Sequence, residues 1–432
     1  IMKTQILMVY PEFPATYWSL KHALKFVNKK SAIIPLGLLT VAALLPEEYS
    51  VTLIDMNVQK LTEDDIKKSD MVFISAMIVQ KPSFDKVVTM CNRLSVPVVA
   101  GGPYPTSSYQ KISGVDHFVL NEAEITLPRF IRDYGQGTLK HLYIDAEKPD
   151  ITKTPLPRFD LVDFRNYNNI ALQNSRGCPF NCEFCDIIEL FGRIPRFKEP
   201  GQFVHEMDMV YRRGFRGSLF VVDDNFIGNK KKVKELLHEI TGWQMKNNYP
   251  FSLFTEASIN LADDDELLQL MVEAGFDMVF VGIETPDSDA LKSCDKNQNL
   301  NRSLYDSIKK IQNAGIEVAG GFIVGFDEDT EDIFDRQIEF IQKAGIPMAM
   351  VGILGALPNT RLYRRLEKEG RIKPGKNFTG NNTHNLHMSF IPSMPEKKII
   401  EGYKKIISEI YSPDKYFKRC YTLLEELPAG TA

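Results

Sequence analysis

The amino-terminal part of the chain alternates short apolar runs with amphipathic segments. Residues 4–10 (TQILMVY) form a run of the kind found in buried parallel strands. Further strand-like runs lie at 51–55, 71–75 and 96–100, and helical patterns separate them at 37–45, 63–68 and 83–94. Strands that alternate with helices predict an α/β fold with a Rossmann-like parallel sheet. Ligands of such sheets bind beyond the carboxyl ends of the strands.

The same alternation resumes after a proline-containing stretch that we interpret as an extended linker. Six strand-like runs then alternate with amphipathic helices, and the strands lie at 170–174, 218–222, 251–255, 278–283, 317–324 and 347–354. Six repeats predict a partial (β/α)6 TIM barrel, in which functional residues gather at the carboxyl ends of the strands. We therefore expect a Rossmann-like domain at 1–148, a linker at 149–169, the barrel at 170–370 and a small, mainly helical domain at 371–432.

The composition predicts neither a membrane-spanning segment nor a nucleic-acid partner. Of the 432 residues, 44% are hydrophobic and 25% are charged, and the net charge of −4 gives no basic footprint for nucleic acid. The longest apolar run, at 32–46, contains Pro35 and Gly37 and is shorter than a bilayer span. We interpret this run as a buried helix.

Three of the six cysteines form a compact motif. Cys178, Cys182 and Cys185 have the spacing C-x3-C-x2-C. Three soft thiolates can hold three irons of a four-iron cluster and leave the fourth iron open to a small chelating molecule. A zinc site usually takes four ligands from two paired knuckles, and the remaining cysteines show no disulfide framework. The motif therefore favours an open [4Fe-4S] cluster.

The motif, with Phe184 just before its last cysteine, resembles the signature of the radical S-adenosylmethionine enzymes. The resemblance implies that the open iron chelates S-adenosylmethionine, and that an electron from the cluster cleaves it to a 5'-deoxyadenosyl radical. It also implies an external electron donor such as flavodoxin or ferredoxin. Unpaired cysteines and an oxygen-sensitive cluster predict a cytoplasmic location.

Carboxylates follow several of the predicted barrel strands. They would be costly around one mouth without cationic or hydroxyl partners, and S-adenosylmethionine carries both. By resemblance, residues 223–225 bind the methionine amino group, two glutamates contact ribose or methionine, and three glycines and Phe184 lie near adenine. The residues so assigned are Asp223, Asp224, Asn225, Glu256, Glu284, Gly320, Gly321 and Gly325. The sequence does not choose between Asp223 and Asp224.

The first domain resembles the cobalamin-binding domain of the cobalamin-dependent branch of this family. The segment Ala100-Gly101-Gly102-Pro103 and the strand ending at Asp55 carry part of the match, although Gly-Gly-Pro can equally serve only as a turn. No Asp-x-His-x-x-Gly motif is present, so the resemblance implies cobalamin bound without a histidine ligand. It assigns to cobalamin the residues Tyr10, Ser75, Met77, Gln80, Gly101, Gly102 and Glu122.

Over nearly its whole length the chain resembles the methylases of this branch, which act on polycyclic lipids or on protein side chains such as glutamine. The resemblance implies C-methylation of an unactivated sp3 carbon, with methylcobalamin as methyl donor. We expect a monomer. No amphipathic or basic membrane surface stands out, which slightly favours a protein or peptide substrate over a lipid. A cyclase or rearrangement enzyme without methyl transfer, and a non-catalytic cobalamin-binding or redox-sensing protein, are the alternatives.

Overall fold

The computed structural model describes residues 3–16, 19–375 and 386–428. The chain forms two compact units. The first contains Ile1–Leu172 and Glu206–Phe215, and the second contains Gln173–His205 and Arg216–Ala432. The finer division into four parts stays a prediction.

The first unit is built on a six-stranded parallel sheet with the order β3-β1-β4-β5-β6-β7. Outside this sheet, β2 pairs in parallel with β8. The strands are β1 (Gln5–Tyr10), β2 (Ser31–Ile33), β3 (Ser50–Asp55), β4 (Met71–Ser75), β5 (Val98–Gly101), β6 (His117–Val119), β7 (Leu142–Tyr143) and β8 (Tyr167–Leu172). The helices are α1 (Leu36–Ala43), α2 (Glu63–Lys67), α3 (Lys81–Arg93), α4 (Pro103–Ser108) and α5 (Ala123–Gln136).

Helix α3 shows how the sequence pattern builds this unit. Phe84, Val87, Val88 and Cys91 recur at helical spacing and are buried. They belong to one core cluster with apolar residues of strands β1, β4 and β5. The structure thus confirms the predicted Rossmann-like sheet, because the continuous apolar strands are covered by apolar helix stripes.

One expectation for this unit was wrong. The apolar run at 32–46 is not one helix, because its start belongs to strand β2 and Pro35 then caps α1. Proline fits the start of a helix but interrupts a strand, which separates the two elements. The linker, predicted to be PPII-like around its prolines, also contains 3₁₀ turns at Ile151–Lys153, Phe159–Leu161 and Phe164–Asn166, none of which includes Pro155 or Pro157.

The second unit contains five parallel strands with the order β15-β14-β13-β12-β11. Intervening helices complete the β/α repeat, which confirms the predicted partial barrel. The strands are β9 (Ser175–Arg176), β10 (Arg196–Phe197), β11 (Gly217–Val221), β12 (Phe251–Ala257), β13 (Phe276–Glu284), β14 (Glu317–Val324) and β15 (Ala349–Ile353). The helices are α6 (Ile187–Leu190), α7 (Pro200–Arg212), α8 (Lys230–Lys246), α9 (Asp265–Glu273), α10 (Ser288–Ser293), α11 (Leu304–Asn313), α12 (Ile333–Lys343), α13 (Arg361–Lys368), α14 (Glu396–Ile410) and α15 (Pro413–Glu426). Helix α7 runs from the second unit into the first.

The carboxyl-terminal segment is helical, as expected, and it packs against the barrel helices. Buried Gly402 of α14 lies against the ring of Phe334 on α12, where any Cβ atom would overlap the ring. Among the described residues, no helix has both the length and the apolar character needed to cross a bilayer.

We expect the substitution Gly402→Ala to destabilise the protein by about 1–2 kcal/mol, because overpacking outweighs the better helix propensity of alanine. The matched control is Gly242→Ala on exposed α8, where a Cβ meets nothing within 4 Å. That change should stabilise the protein by about 0.5–1 kcal/mol. Chemical denaturation of both variants measures the difference, and equal effects would contradict the packing between α12 and α14.

Candidate active site

The three cysteines lie in the loop between β9 and α6. Gly177 opens this loop with a φ of 96°, and a Cβ there would lie 2.8 Å from the carbonyl oxygen of Gly192. The start of the loop is tied to the backbone that follows α6, since the amide of Cys178 donates to the same carbonyl at 3.2 Å. Glycine is therefore needed where the start of the loop approaches this backbone.

The carboxylate of Asp223 fixes the entry to this loop. One oxygen accepts hydrogen bonds from the backbone amides of Asn174 and Ser175 at 2.7 and 2.9 Å. The other accepts from the Asn174 side-chain amide at 3.2 Å and the Ser175 hydroxyl at 2.6 Å. Asp223 is only 1% exposed, so these bonds compensate its burial. The structure gives Asp223 a supporting role and leaves Asp224 as the carboxylate of the pair that is more open to a ligand.

The cysteine sulfurs have the surroundings of cluster ligands. Burial raises the pKa of the Cys178 and Cys185 thiols, and the other cysteine sulfurs of the motif raise it further, so a metal would be needed to hold them as thiolates. Nitrogen donors approach the sulfurs: the side-chain amide of Gln298 lies 3.6 Å from Cys182, and that of Asn225 lies 3.9 Å from Cys178. This donor set fits a [4Fe-4S] cluster.

Asp224 and Glu256 form an electrostatically unfavourable pair. Burial and the neighbouring carboxylates raise the pKa of each to about 7. The amide of Gly177 donates to Asp224 at 2.8 Å, and the Glu256 side chain is accessible to water although protein surrounds it closely. Such carboxylates gain from a bound cation, which is the property expected of an S-adenosylmethionine site.

The sequence did not single out Lys296, which the structure places beside the cysteines. Its ammonium group lies 2.6 Å from Glu284, and both side chains are about 10% exposed or less. Burial acts to lower the pKa of Lys296, but Glu284 and the sulfurs of Cys182 and Cys185 raise it overall. A lysine in a loop carries no sequence signal of its own, so only the fold reveals this cation. It is placed to offset the negative charge of a cluster.

Glu284 is therefore paired within the protein. Its backbone has a φ of 65°, at a point where the pairing of β13 with β14 shifts register. Left-handed backbone is costly for a glutamate and clusters at functional sites. The predicted contact of Glu284 with ribose or methionine stays a prediction.

The predicted adenine-side residues have protein neighbours of their own. A Cβ at Gly320 would meet the ring of Phe322 at 2.7 Å, and one at Gly321 would meet Phe280 at 2.9 Å. Gly325 has a φ of 106° and faces Met388. These contacts alone explain the glycines, so their approach to adenine stays a prediction. Phe184 packs edge-on against Phe326, with ring centroids 6.2 Å apart.

Helix α13, which the sequence did not predict, fastens the cysteine loop. The guanidinium of Arg365 binds both carboxylate oxygens of Glu183 at 2.7 and 3.1 Å, and it also reaches Asp327 at 3.0 Å. The amide of Leu362 donates to the Glu183 carbonyl, and Arg361 donates to the carbonyl of Asn181. Two residues between the cysteines are thus held by one helix.

In the first unit, three of the residues predicted for cobalamin, Tyr10, Ser75 and Gly101, end neighbouring strands. Strand β4 pairs with β1 and β5, and Ser75 is opposite Gly101. A Cβ at Gly101 would lie 2.7 Å from the carbonyl oxygen of Val119, and one at Gly102, where φ is 87°, would overlap the Ser75 hydroxyl. The glycines thus keep the backbone compact at the ligand-binding edge of the sheet.

The other predicted cobalamin residues divide into two groups. Gln80 is fully buried and braces its loop, donating to the Pro11 carbonyl at 2.6 Å and accepting from the Met77 amide at 2.8 Å. Glu122 is also buried. Tyr10 is surrounded by protein, and this burial, together with the charge of Asp55, raises the pKa of its hydroxyl group. The Met77 side chain is 42% exposed and is open to a ligand. Cobalamin contact by any of them stays a prediction.

Three family models match the chain in sequence order. A B12 binding domain matches residues 27–131, the radical SAM superfamily matches residues 174–341, and a domain of unknown function, DUF4070, matches residues 360–431. An uncharacterized methyltransferase of Synechocystis is 44% identical over 98% of this chain and 79% of its own length. The hopanoid C-2 methylase of Rhodopseudomonas palustris is 33% identical over 96% of this chain and 78% of its own length. The chain belongs to the cobalamin-dependent radical S-adenosylmethionine methyltransferases.

A solved structure agrees with this assignment at the level of the fold. The radical S-adenosylmethionine methyltransferase TsrM from Kitasatospora setae, with cobalamin and a [4Fe-4S] cluster bound, matches with a TM-score of 0.71. The match covers 96% of this chain and 90% of TsrM at 14% identity.

Family membership confirms the predicted enzyme class and the three cofactors: a [4Fe-4S] cluster, S-adenosylmethionine and cobalamin. An enzyme of this family also needs a reductant and a substrate. Cobalamin binding without a histidine ligand, flavodoxin or ferredoxin as reductant, a monomeric state and a cytoplasmic location stay predictions.

Replacing Cys178, Cys182 or Cys185 with alanine should remove the cluster and abolish cleavage of S-adenosylmethionine, because the loop offers no substitute thiolate. The control is Cys294→Ala. Cys294 is a buried cysteine, and its pKa is raised by burial and also by Glu284 and Cys182. Iron and sulfide content and 5'-deoxyadenosine formation measure both properties anaerobically. Cleavage retained in one of the three motif variants, or loss of the cluster in the Cys294 control, would contradict the ligand assignment.

The raised pKa of Glu256 predicts a pH dependence of stability. The folded protein holds this proton more tightly than the unfolded chain, so stability should fall as pH rises from 4.5 to about 7. In the cofactor-free protein, Glu256→Gln should flatten part of this fall in melting temperature. Glu339→Gln, on the exposed side of α12, is the control and should leave the profile unchanged. If Glu256→Gln left the profile unchanged, the pKa of Glu256 would not be raised in the folded protein.

Proposed function

We propose that this enzyme methylates an unactivated sp3 carbon of a polycyclic lipid of the hopanoid type. The proposal is carried by its similarity to a hopanoid C-2 methylase, at 33% identity over 96% of this chain. The reaction replaces one hydrogen of the target carbon with a methyl group.

A partly accessible apolar stripe in the second unit supports an apolar substrate. Phe220 is opposite Phe254, and their rings stack at 4.5 Å; Phe254 is in turn opposite Met278. Phe280 on β13 and Met350 on β15 are also partly exposed, and we include them in this stripe. The intervening strand residues are buried, so the stripe marks one face of the sheet. Such a wall suits a flat, apolar ring system.

This stripe favours a lipid over the protein side chain that the sequence slightly favoured. A glutamine side chain is small and polar, and its amide would need hydrogen-bonding partners in a buried site. The stripe offers rings and thioethers instead. The preference for a lipid also agrees with the relative named above.

The chain's own groups have separate tasks in the proposed reaction. When bound, the cofactors supply the radical that removes a hydrogen atom and the methyl group that replaces it. The motif cysteines hold the cluster, Asp224 and Glu256 face the cationic parts of S-adenosylmethionine, and Lys296 offsets charge near the sulfurs. The first unit binds cobalamin without a histidine ligand. The protein thereby positions the substrate carbon and excludes water.

The deciding experiment is an anaerobic assay of the reconstituted protein with reductant, S-adenosylmethionine and a pentacyclic triterpene of the hopanoid type. We expect 5'-deoxyadenosine, S-adenosylhomocysteine and a lipid product heavier by one methylene. A peptide library assayed in parallel tests the other substrate class. Methylated peptide without methylated lipid would overturn the proposal, as would both small products without any gain in lipid mass.

The apolar stripe can be tested in the same assay. Phe254→Ser should lower lipid methylation by about tenfold, because it removes a large part of the apolar contact. The conservative change Phe254→Leu should retain most of the activity. Cleavage of S-adenosylmethionine without lipid should survive in both variants. Equal methylation by both variants would show that the stripe does not contact the substrate.

A further inference from the structure

An exposed turn in the first unit combines apolar and basic side chains. Phe26 is 91% exposed and Val27 is 56% exposed, within the 3₁₀ helix Leu24–Val27. Leu20, just before this helix, is 39% exposed. Exposed apolar residues are common when scattered, but adjacent ones on a protruding turn indicate an interaction site.

The turn is held in this conformation by its own hydrogen bonds. Leu24 is buried as an anchor, its amide donates to the Leu20 carbonyl at 2.9 Å, and its carbonyl accepts from the Lys29 amide at 2.9 Å. Asn28 ends the helix in the left-handed conformation, with a φ of 54°. The Lys30 amide donates to the Asn166 carbonyl at 2.9 Å. Phe26 is therefore presented outward by a fastened turn.

Basic residues are frequent in the same turn and beside it. They are Lys21, Lys25, Lys29 and Lys30 of the turn and exposed Arg165 beside it. Two carboxylates offset part of this charge: Glu12 pairs with Lys21 at 2.7 Å, and Asp163 pairs with Arg165 at 2.7 Å. The remaining charge is positive. A turn that combines four lysines with an exposed aromatic residue complements a surface with anionic headgroups and an apolar interior.

We propose that the basic turn, residues 20–30, docks the enzyme reversibly on an anionic lipid bilayer. Phe26 and Val27 enter the boundary between headgroups and acyl chains, while the lysines remain among the phosphates. No such surface stands out in the sequence, because the basic and apolar residues of this segment follow no helical period. A lipid substrate would be reached at this surface, but the docking itself does not require the proposed function.

The test is co-sedimentation of the full reconstituted protein with vesicles. One set is pure phosphatidylcholine, and the other contains phosphatidylcholine and phosphatidylglycerol in equal parts. We expect binding to the anionic set, weakened by added salt, and little binding to the neutral set. The variant carrying Lys25→Glu and Phe26→Ser should bind at least about tenfold more weakly, because each lysine and the phenyl ring contribute severalfold.

The matched control carries Met245→Ser and Lys246→Glu, an exposed apolar–basic pair on α8. It should bind the vesicles like the parent. Cleavage of S-adenosylmethionine in vesicle-free buffer should be unchanged in both variants, which confirms that they fold. Undiminished binding of the turn variant, or no binding by the parent, would overturn the proposal. The proposal would also be overturned if the parent formed a dimer without binding vesicles and the turn variant did not form that dimer.

Failure of docking and failure of the proposed function are distinguishable. Vesicle binding is measured without substrate or turnover, and lipid methylation can be assayed on substrate dispersed in detergent. Methylation without docking would leave the proposed function intact. Docking without lipid methylation would support the docking surface and would rule out the proposed lipid substrate.

Discussion

The buried carboxylate of Asp223 is the interaction on which the cysteine loop depends. Asp223 accepts four hydrogen bonds from Asn174 and Ser175, the two residues that lead into the cysteine loop. An ionised carboxylate without partners would be too costly at 1% exposure, so the arrangement forms as a whole or not at all. The same strand end also carries Asp224 and Asn225, so one short segment supports the loop and faces the cluster site.

The electrostatics around the loop divide into two opposing regions. Asp224 and Glu256 oppose each other's ionisation, which prepares that region for a cation. Lys296 lies near Cys182 and Cys185 and prepares the region of the sulfurs for negative charge. If the cluster and S-adenosylmethionine bind as proposed, each would meet a complementary field that exists before it arrives, which would reduce reorganisation on binding.

Sequence reasoning recovered the features that depend on local pattern. Continuous apolar strands such as β4 and β14 were predicted within their observed bounds, and the carboxylates at strand ends follow from barrel topology. Helix α13 was missed because its sequence, RLYRRLEK, buries only Leu362 and Leu366 and otherwise resembles a solvated segment. The pairing of Lys296 with Glu284 depends on how a loop meets the end of β13 in space, which no sequence period encodes.

Helix α13 is synthesised long after the cysteine loop that it holds. Arg365 follows its partner Glu183 by 182 residues. During synthesis the three cysteines therefore emerge roughly 10–40 s before the helix that secures them, at typical ribosome rates. Throughout that interval the nascent loop lacks its final restraint. The restrained loop is consequently available to a cluster only after α13 has emerged, and a chain truncated before α13 would present its thiols without the helix that holds the loop.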